Sequence, residues 1–314
     1  MMLTRTFLIT LLCMLAMACK TTGTANNNTA NNANRVLIIT SNGDVPRYKT
    51  AQQAFQGAMA DIPVTQLDLK NDKHPTETLQ DLLNRNQFDV IYAIGAKALG
   101  SVDHIAPNAP VVYSSVLSWR QFEKRAHYYG VASEVSPQAQ LAWFKHFFPA
   151  VSRMSILYSE MNVALIKEAR ETAKYMGIEL NAVQIEDSAD VQQKLAFATQ
   201  NTDLLWIMPD SLVLHSEQTI LDIFKAARQA SLPVAAYSAF YMDLGATITI
   251  NADTATTGRQ AALLVQKLLD KNTTNPGIQY PAGSSISLSM GKVERYQINL
   301  NLEALSEVND LIEE

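Results

Sequence analysis

Polar side chains follow or close most of the short apolar segments of this chain, where they are suited to binding a ligand. The apolar segments are VLIIT (36–40), FDVIYAIG (88–95) and APVVYSS (109–115), then RMSILYS (153–159), TDLLWIM (202–208) and LPVAAYS (232–238). Hydroxyl, amide and ammonium groups hydrogen-bond a carboxylate, and a carboxylate pairs with an amine. The candidate residues are Ser41, Asn42, Lys97, Ser114 and Ser115, then Ser159, Asn162, Asp210, Tyr237 and Ser238. Ala96 is a further candidate, as a small residue at a predicted helix N-terminus, where backbone N–H groups are free to bind a carboxylate.

Each of these positions also has a structural explanation. Serine, asparagine and aspartate are favoured N-caps of helices, so capping alone accounts for many of them. Lys97 suits an anionic ligand, but it also suits simple exposure to solvent. Asp210 is the sharpest candidate because it lies beside Pro209 after a very apolar segment, where a carboxylate can meet a ligand amine. Its alternative role is N-cap of a helix predicted over 212–230.

Signals for catalysis or metal binding are weak. The five histidines are isolated and show no HxH or HExxH spacing. The sequence contains no GxSxG elbow and no GxxxxGK[ST] phosphate loop. We therefore predict a protein that is not an enzyme and that uses no cofactor and no metal. An α/β-fold hydrolase or transferase is the catalytic alternative.

The elements that must position these residues alternate along the chain. Apolar segments typical of strands are separated by segments of helical spacing, such as 46–60, 162–176 and 254–269. This alternation predicts an α/β fold with parallel sheets covered by helices on both faces. The pattern restarts near 128–133, which predicts two lobes of similar size. Near the end, 285–290 and 296–301 alternate like the two strands of a β-hairpin turning at Gly291 and Lys292.

The N-terminus has the plan of an export signal. Arg5 precedes an apolar run over 7–18, which is shorter than the roughly 20 residues that span a bilayer. Cys19 follows small residues and resembles the lipid-modified cysteine of bacterial lipoproteins, which implies a signal peptide over 1–18 and lipidation of Cys19. Residues 19–34 are rich in asparagine and threonine and predict a disordered tether. Lipoproteins that are retained at the inner membrane often have aspartate directly after the lipidated cysteine. This chain has Lys20 there, which favours the outer membrane.

Composition sets further limits on the 314-residue chain. A formal net charge of -5 argues against binding to nucleic acid. Hydrophobic residues make up 47% of the sequence, which is enough for a sizeable core. Cys13 leaves with the signal peptide, so the mature chain keeps only Cys19 and forms no intramolecular disulfide.

Several short motifs occur in a characteristic order between residues 35 and 310. They are YGVA (129–132), QL (140–141), FP (148–149), ILY (156–158), MPDS (208–211), LPV (232–234), GA (245–246), GRQA (258–261) and INL (298–300). Taken together, they resemble the ABC transporter substrate-binding proteins, a family that includes presumed binders of tryptophan and other aromatic amino acids.

The resemblance implies a type I periplasmic binding protein fold, with two Rossmann-like lobes joined by three crossings. The crossings are expected near 132–136, 250–254 and 283–290. The first lobe would then comprise 35–132 plus 252–285, and the second 133–251 plus 286–314. By analogy, a ligand carboxylate would meet Ser41, Ala96, Ser114 and Ser115, and a ligand amine would meet Asp210 beside Ser159 and Asn162.

The function implied by the resemblance is capture of a small solute, amino-acid-like or aromatic, between the lobes. A lipid-anchored protein of the bacterial periplasm would deliver that solute to the permease of an ABC transporter. The alternative is a ligand sensor or accessory lipoprotein that signals to a membrane partner by the same closure of its lobes.

Overall fold

The computed structural model describes residues 35–117, 119–270 and 277–313. The signal peptide, Cys19, Lys20 and the tether predicted over 19–34 lie outside these residues. The first elements are β1 (Val36–Thr40), α1 (Pro46–Ala58), β2 (Val64–Asp68), α2 (Pro75–Arg85), β3 (Val90–Ile94), α3 (Ala96–Ile105), β4 (Val111–Ser114) and β5 (Tyr128–Val131).

The second half continues the alternation of strands and helices. Its elements are α4 (Pro137–Phe147), β6 (Arg153–Tyr158), α5 (Val163–Tyr175), β7 (Glu179–Gln184), α6 (Val191–Ala198), β8 (Leu204–Ile207), α7 (Glu217–Gln229), β9 (Val234–Ala236) and β10 (Ile248–Ala252). The last elements are α8 (Thr254–Leu269), β11 (Ile278–Gln279), β12 (Ser284–Ser289), α9 (Met290–Arg295) and β13 (Asp310–Ile312).

Within the described ranges these strands form two sheets, one in each lobe. The first sheet has the order β11-β5-β4-β3-β1-β2, and all its strands are parallel. The second has the order β13-β12-β10-β9-β8-β6-β7, and only the β10–β12 pair is antiparallel. The predicted α/β class with two parallel-sheet lobes is confirmed.

Strand residues alternate between two hydrophobic clusters on opposite faces of the first sheet. Leu37 and Ile39 pack with residues of α2 and α3, whereas Val36 and Ile38 pack with residues of α1 and α8. This alternation follows from the two-residue period of a β-strand, and it explains why the strands are apolar on both sides. The second sheet is covered in the same way, by α4 and α5 on one face and by α6 and α7 on the other.

The chain passes between the two sheets three times. Residues 132–136 lead from β5 to α4, Asp253 leads from β10 to α8, and residues 280–283 lead from β11 to β12. The sequence predicts the third crossing near 283–290, and it lies at the beginning of that region and just before it, because β12 already pairs with β10 in the second sheet.

The predicted C-terminal β-hairpin is wrong in its second half. Strand β12 forms as expected, but the chain then enters α9, whose first turn is capped by the Ser289 hydroxyl accepting from the Lys292 amide at 3.2 Å. Residues 296–301 form no strand among the described residues. Ile298 and Leu300 instead pack against the core beneath α4. Ile298 and Leu300 alternate with polar residues, and this spacing is compatible with packing against the core as well as with a β-strand.

Helices α1 and α8 approach each other most closely at a glycine. A Cβ atom at Gly258 would lie 2.2 Å from the carbonyl oxygen of Ala51, so only glycine fits between the two backbones. Helix α8 follows the second crossing, and its contact with α1 fixes it to the first lobe.

We expect Gly258→Ala to lower the free energy of unfolding by about 2–3 kcal/mol, since the methyl group forces α1 and α8 apart. Urea denaturation measures this change. Gly100→Ala is the matched control because a Cβ there meets no atom within 4 Å in the middle of α3. That variant should gain about 0.5–1 kcal/mol from helix propensity. Equal stabilities of the two variants would contradict the close approach.

Candidate functional site

A cavity of about 250 Å³ lies in the cleft between the two lobes. The first lobe contributes Arg47, Ser115, Leu117, Thr254 and Thr257, and the second lobe contributes Tyr237, Ser238 and Ala239. The first crossing contributes Ala132 and Ser133, and the end of β10 contributes Asn251 and Ala252. Both lobes and the first crossing thus surround one space, so any relative motion of the lobes changes the cavity.

The folding pattern explains why these residues meet. Parallel strands present their carboxyl ends at one edge of a sheet, and the loops that follow build the ligand site of open α/β sheets. Ser115 directly follows β4, and Tyr237 and Ser238 directly follow β9. Ser115 has a φ of 60°, a left-handed conformation that turns the chain sharply at the end of its strand.

Arg47 carries the only charge among the described residues that line the cavity. It is the second residue of α1, and its guanidinium carbon lies 5.0 Å from the centre of the Tyr48 ring. Its Nη2 donates to the Tyr48 hydroxyl at 3.2 Å. No ion pair between described residues includes Arg47. A guanidinium without a carboxylate partner in a cleft is suited to a carboxylate or another planar anion.

Tyr237 supplies an aromatic surface and a hydroxyl on the opposite side of the cavity. Its hydroxyl lies 3.1 Å from that of Tyr241, and the two rings meet edge to face at 5.4 Å between centroids. Burial, and then the neighbouring Tyr241, raises the pKa of the Tyr237 phenol above its ordinary value. The phenol therefore stays protonated at neutral pH and can both donate and accept.

Of the predicted site residues, Ser115, Tyr237 and Ser238 line this cavity. The other candidates of the first lobe are engaged within that lobe. The Ser41 hydroxyl accepts from the Ala98 amide at 2.9 Å and so caps α3, and Asn42 Oδ1 accepts from the Asp44 amide at 3.0 Å. Ser114 is fully buried, with its hydroxyl 2.7 Å from that of Tyr92.

Ala96 and Lys97 begin α3 and are exposed. The Lys97 ammonium donates to the carbonyl oxygens of Leu69 at 2.6 Å and Asp72 at 2.8 Å. It therefore joins α3 to the loop after β2, and neither residue lines the cavity. The contact between Lys97 and an anionic ligand stays a prediction.

Ser159, Asn162 and Asp210 form a cluster of their own in the second lobe. Asp210 is 4% exposed, and its Oδ2 accepts from the Ser159 amide at 2.7 Å, the Ser159 hydroxyl at 2.9 Å and Asn162 Nδ2 at 2.8 Å. Its Oδ1 accepts from the amides of Leu212 at 3.0 Å and Val213 at 3.1 Å. These five bonds satisfy the carboxylate within its own lobe, so its predicted contact with a ligand amine stays a prediction.

Arg47 is not among the residues predicted from the sequence, because it lies in the first turn of α1 and does not directly follow the end of β1. Sequence reasoning also missed Ser133, which lies in the first crossing, and Asn251, which lies near the end of β10 just before the second crossing. The signal that could have found them is the position of the crossings, since three crossings must pass the floor of any cleft between two lobes.

The sequence profile of the ABC transporter substrate binding protein family matches residues 38–302. This chain belongs to that family. Among curated proteins, no sequence matches the chain. Solved structures of low identity share its fold and confirm the predicted type I periplasmic binding protein arrangement.

Three of these structures align with most of this chain. The ligand-free, open structure of a substrate binding protein with adhesive properties from Clostridium difficile has a TM-score of 0.67 and 15% identity, over 89% of this chain and 99% of that chain. A conserved domain protein from Vibrio cholerae has a TM-score of 0.58 and 18% identity, over 89% and 99%. An ABC domain in complex with L-Trp from Streptococcus pneumoniae has a TM-score of 0.57 and 15% identity, over 88% and 100%.

Within the ranges that the structure describes, no helix of this family member is long and apolar enough to cross a membrane. In the same part of the chain, no group of three or more histidine, cysteine, aspartate or glutamate side chains is placed to hold a metal ion.

Proposed function

We propose that this protein captures a small carboxylate-bearing solute, amino-acid-like or aromatic, between its two lobes for an ABC transporter. The observation that carries the proposal is Arg47, a guanidinium without a carboxylate partner that faces a cavity shared by both lobes. Membership of the family supports solute binding, and the related domain with bound L-Trp supports an aromatic amino acid as one ligand to test.

The lining of the cavity fits such a solute in its chemistry. Arg47 would pair with the carboxylate, Tyr237 would cover an apolar or aromatic part, and the Ser115 and Ser238 hydroxyls would bind remaining polar groups. Leu117 is 47% exposed at the edge of the same space, and closure of the lobes on a ligand would bury it.

A thermal-shift screen with amino acids, nucleosides and small carboxylates tests the proposal. A solute present at 100 times its Kd should stabilise the protein by about 2.7 kcal/mol. If no carboxylate raises the melting temperature while a neutral solute does, the assigned ligand chemistry is wrong. If no solute of any class does so, solute capture itself is contradicted.

We expect Arg47→Gln to weaken binding of the most stabilising carboxylate about 10- to 100-fold, since a hydrogen bond to a charged group contributes roughly 1.5–3 kcal/mol. Isothermal titration calorimetry measures the affinity. Lys49→Gln is the matched control because Lys49 is exposed on the same helix and does not line the cavity. An equal loss in both variants would show that overall charge, and not Arg47 contact, governs the affinity.

Attachment to the membrane is a separate part of the proposal. Cleavage after residue 18 and lipidation of Cys19 would hold the protein at the surface of a membrane outside the cytoplasm, where a permease is within reach of the tether. The mass of the mature protein tests this part, because an unmodified N-terminus would exclude the anchor.

A further inference from the structure

A second cavity, of about 170 Å³, lies in the second lobe at the sheet edge opposite the cleft. Its lining includes Val234, the first residue of β9, and Gly245, which precedes β10. The cleft, by contrast, is lined by residues at and beyond the carboxyl ends of the same two strands. At a rise of about 3.3 Å per residue, the sheet separates the two cavities by roughly 10–20 Å.

Three cationic side chains line this second cavity. Arg228 comes from the last turn of α7, and Lys292 and Arg295 come from α9. Asp243 is the acidic residue of the lining, and it is exposed, as are Arg228 and Arg295, so the lining carries three positive charges against one negative charge. No ion pair between described residues includes any of the three cations.

The position of Lys292 is unfavourable for a cation in two respects. It is half-buried, and it lines the same cavity as two arginines. Burial, followed by the charges of Arg295 and Arg228, lowers the pKa of the Lys292 ammonium. A bound anion would offset the repulsion among the three cations and raise this pKa again.

The lysine stem passes close to the chain turn before β10. Gly245 has a φ of 116°, which favours glycine at this turn, and a Cβ atom there would lie 3.9 Å from Lys292 Cε, an ordinary van der Waals distance. Lys292 lines the same cavity as the two arginines. Arginines offer paired N–H groups to an oxyanion, and lysine adds a compact charge.

We propose that this cavity binds a phosphate group, either as free phosphate or as part of a phospholipid headgroup. Its volume of about 170 Å³ is below the roughly 300–1,000 Å³ of pockets that enclose drug-sized ligands, which favours a small oxyanion. This site is independent of the cleft and of the solute proposed for it. In a protein of net charge -5, a group of three unpaired cations marks the surface at which a phosphate group is attracted.

Calorimetric titration with inorganic phosphate, in a buffer free of other oxyanions, tests the site. Saturable binding is expected, with at least a tenfold loss of affinity in Lys292→Gln and in Arg295→Gln. Lys225→Gln is the matched control, because Lys225 is exposed on α7 and does not line this cavity. Arg295 is exposed, so its replacement keeps the test valid if Lys292→Gln disturbs folding.

Vesicles distinguish the two sources of the phosphate group. Sedimentation with phosphatidylglycerol vesicles that depends on Lys292 and is displaced by phosphate assigns the site to a headgroup, whereas phosphate binding without sedimentation assigns it to the free ion. Absence of saturable binding in both arms overturns the proposal. It is also overturned if phosphate binding survives Lys292→Gln and is lost in Arg47→Gln, since the anion then occupies the cleft.

Discussion

Asp210→Ala is expected to lower the free energy of unfolding by about 3–5 kcal/mol, one of the two largest changes that we predict. The carboxylate is 4% exposed and accepts five hydrogen bonds from Ser159, Asn162, Leu212 and Val213. Alanine accepts none of them, and each buried donor left without a partner costs about 1–3 kcal/mol before water enters the gap. Urea denaturation at neutral pH measures the loss.

The size of this loss depends on burial, and a second aspartate provides the comparison. Asp222 lies at the surface of α7 and accepts from the side chains of Gln192 at 3.0 Å and Gln218 at 3.1 Å. Asp222→Ala should change the stability by less than about 1 kcal/mol. If Asp210→Ala unfolds at the same urea concentration as the wild type and binds its solute more weakly, Asp210 belongs to the ligand site after all.

The fold could be predicted from the sequence because its strands are short, apolar on both faces and regularly spaced. Val36 to Ile39 illustrate the point, since all four are fully buried and alternate between two helix layers. The C-terminal segment could not be predicted in the same way. The alternation of Ile298 and Leu300 with polar residues is compatible with a β-strand and with an irregular segment packed against the core. Only the tertiary contacts decide between these two structures.

The candidate site was predictable in its location and only partly in its residues. Ser41 and Ser115 both follow strands of the first sheet, yet the Ser41 hydroxyl caps α3 whereas Ser115 lines the cavity. The residue type is the same, and the difference lies in the direction of the chain after each strand. Local patterns do not encode that direction, so the polar residues that cap helices and those that bind ligands stay indistinguishable until the lobes are assembled.

A hydrogen-bonded network joins two of the three crossings and contains the most completely buried acid of the cleft region. Glu134, in the first crossing, is 0% exposed. Its carboxylate accepts from Trp119 Nε1 at 2.9 Å, from Arg120 Nη1 at 2.8 Å and from the Ser133 hydroxyl at 2.8 Å. Arg120 also donates to the hydroxyl of Tyr280 at 3.2 Å, in the third crossing. The network therefore connects the first crossing to the third.

Glu134→Ala is expected to lower the free energy of unfolding by about 3–5 kcal/mol, because it leaves the Arg120 guanidinium, only 19% exposed, without its counter-charge. The variant also leaves the Trp119 indole N–H without an acceptor. Glu134→Gln should lose less, since its amide oxygen can still accept from the indole.

Asp103→Ala is the control, because the Asp103–Arg125 pair of the same lobe is more exposed and should contribute less than about 1 kcal/mol. Chemical denaturation of the three variants decides the matter. If Glu134→Ala loses no more than Asp103→Ala, water must reach Arg120 readily, and the network cannot hold the two crossings together.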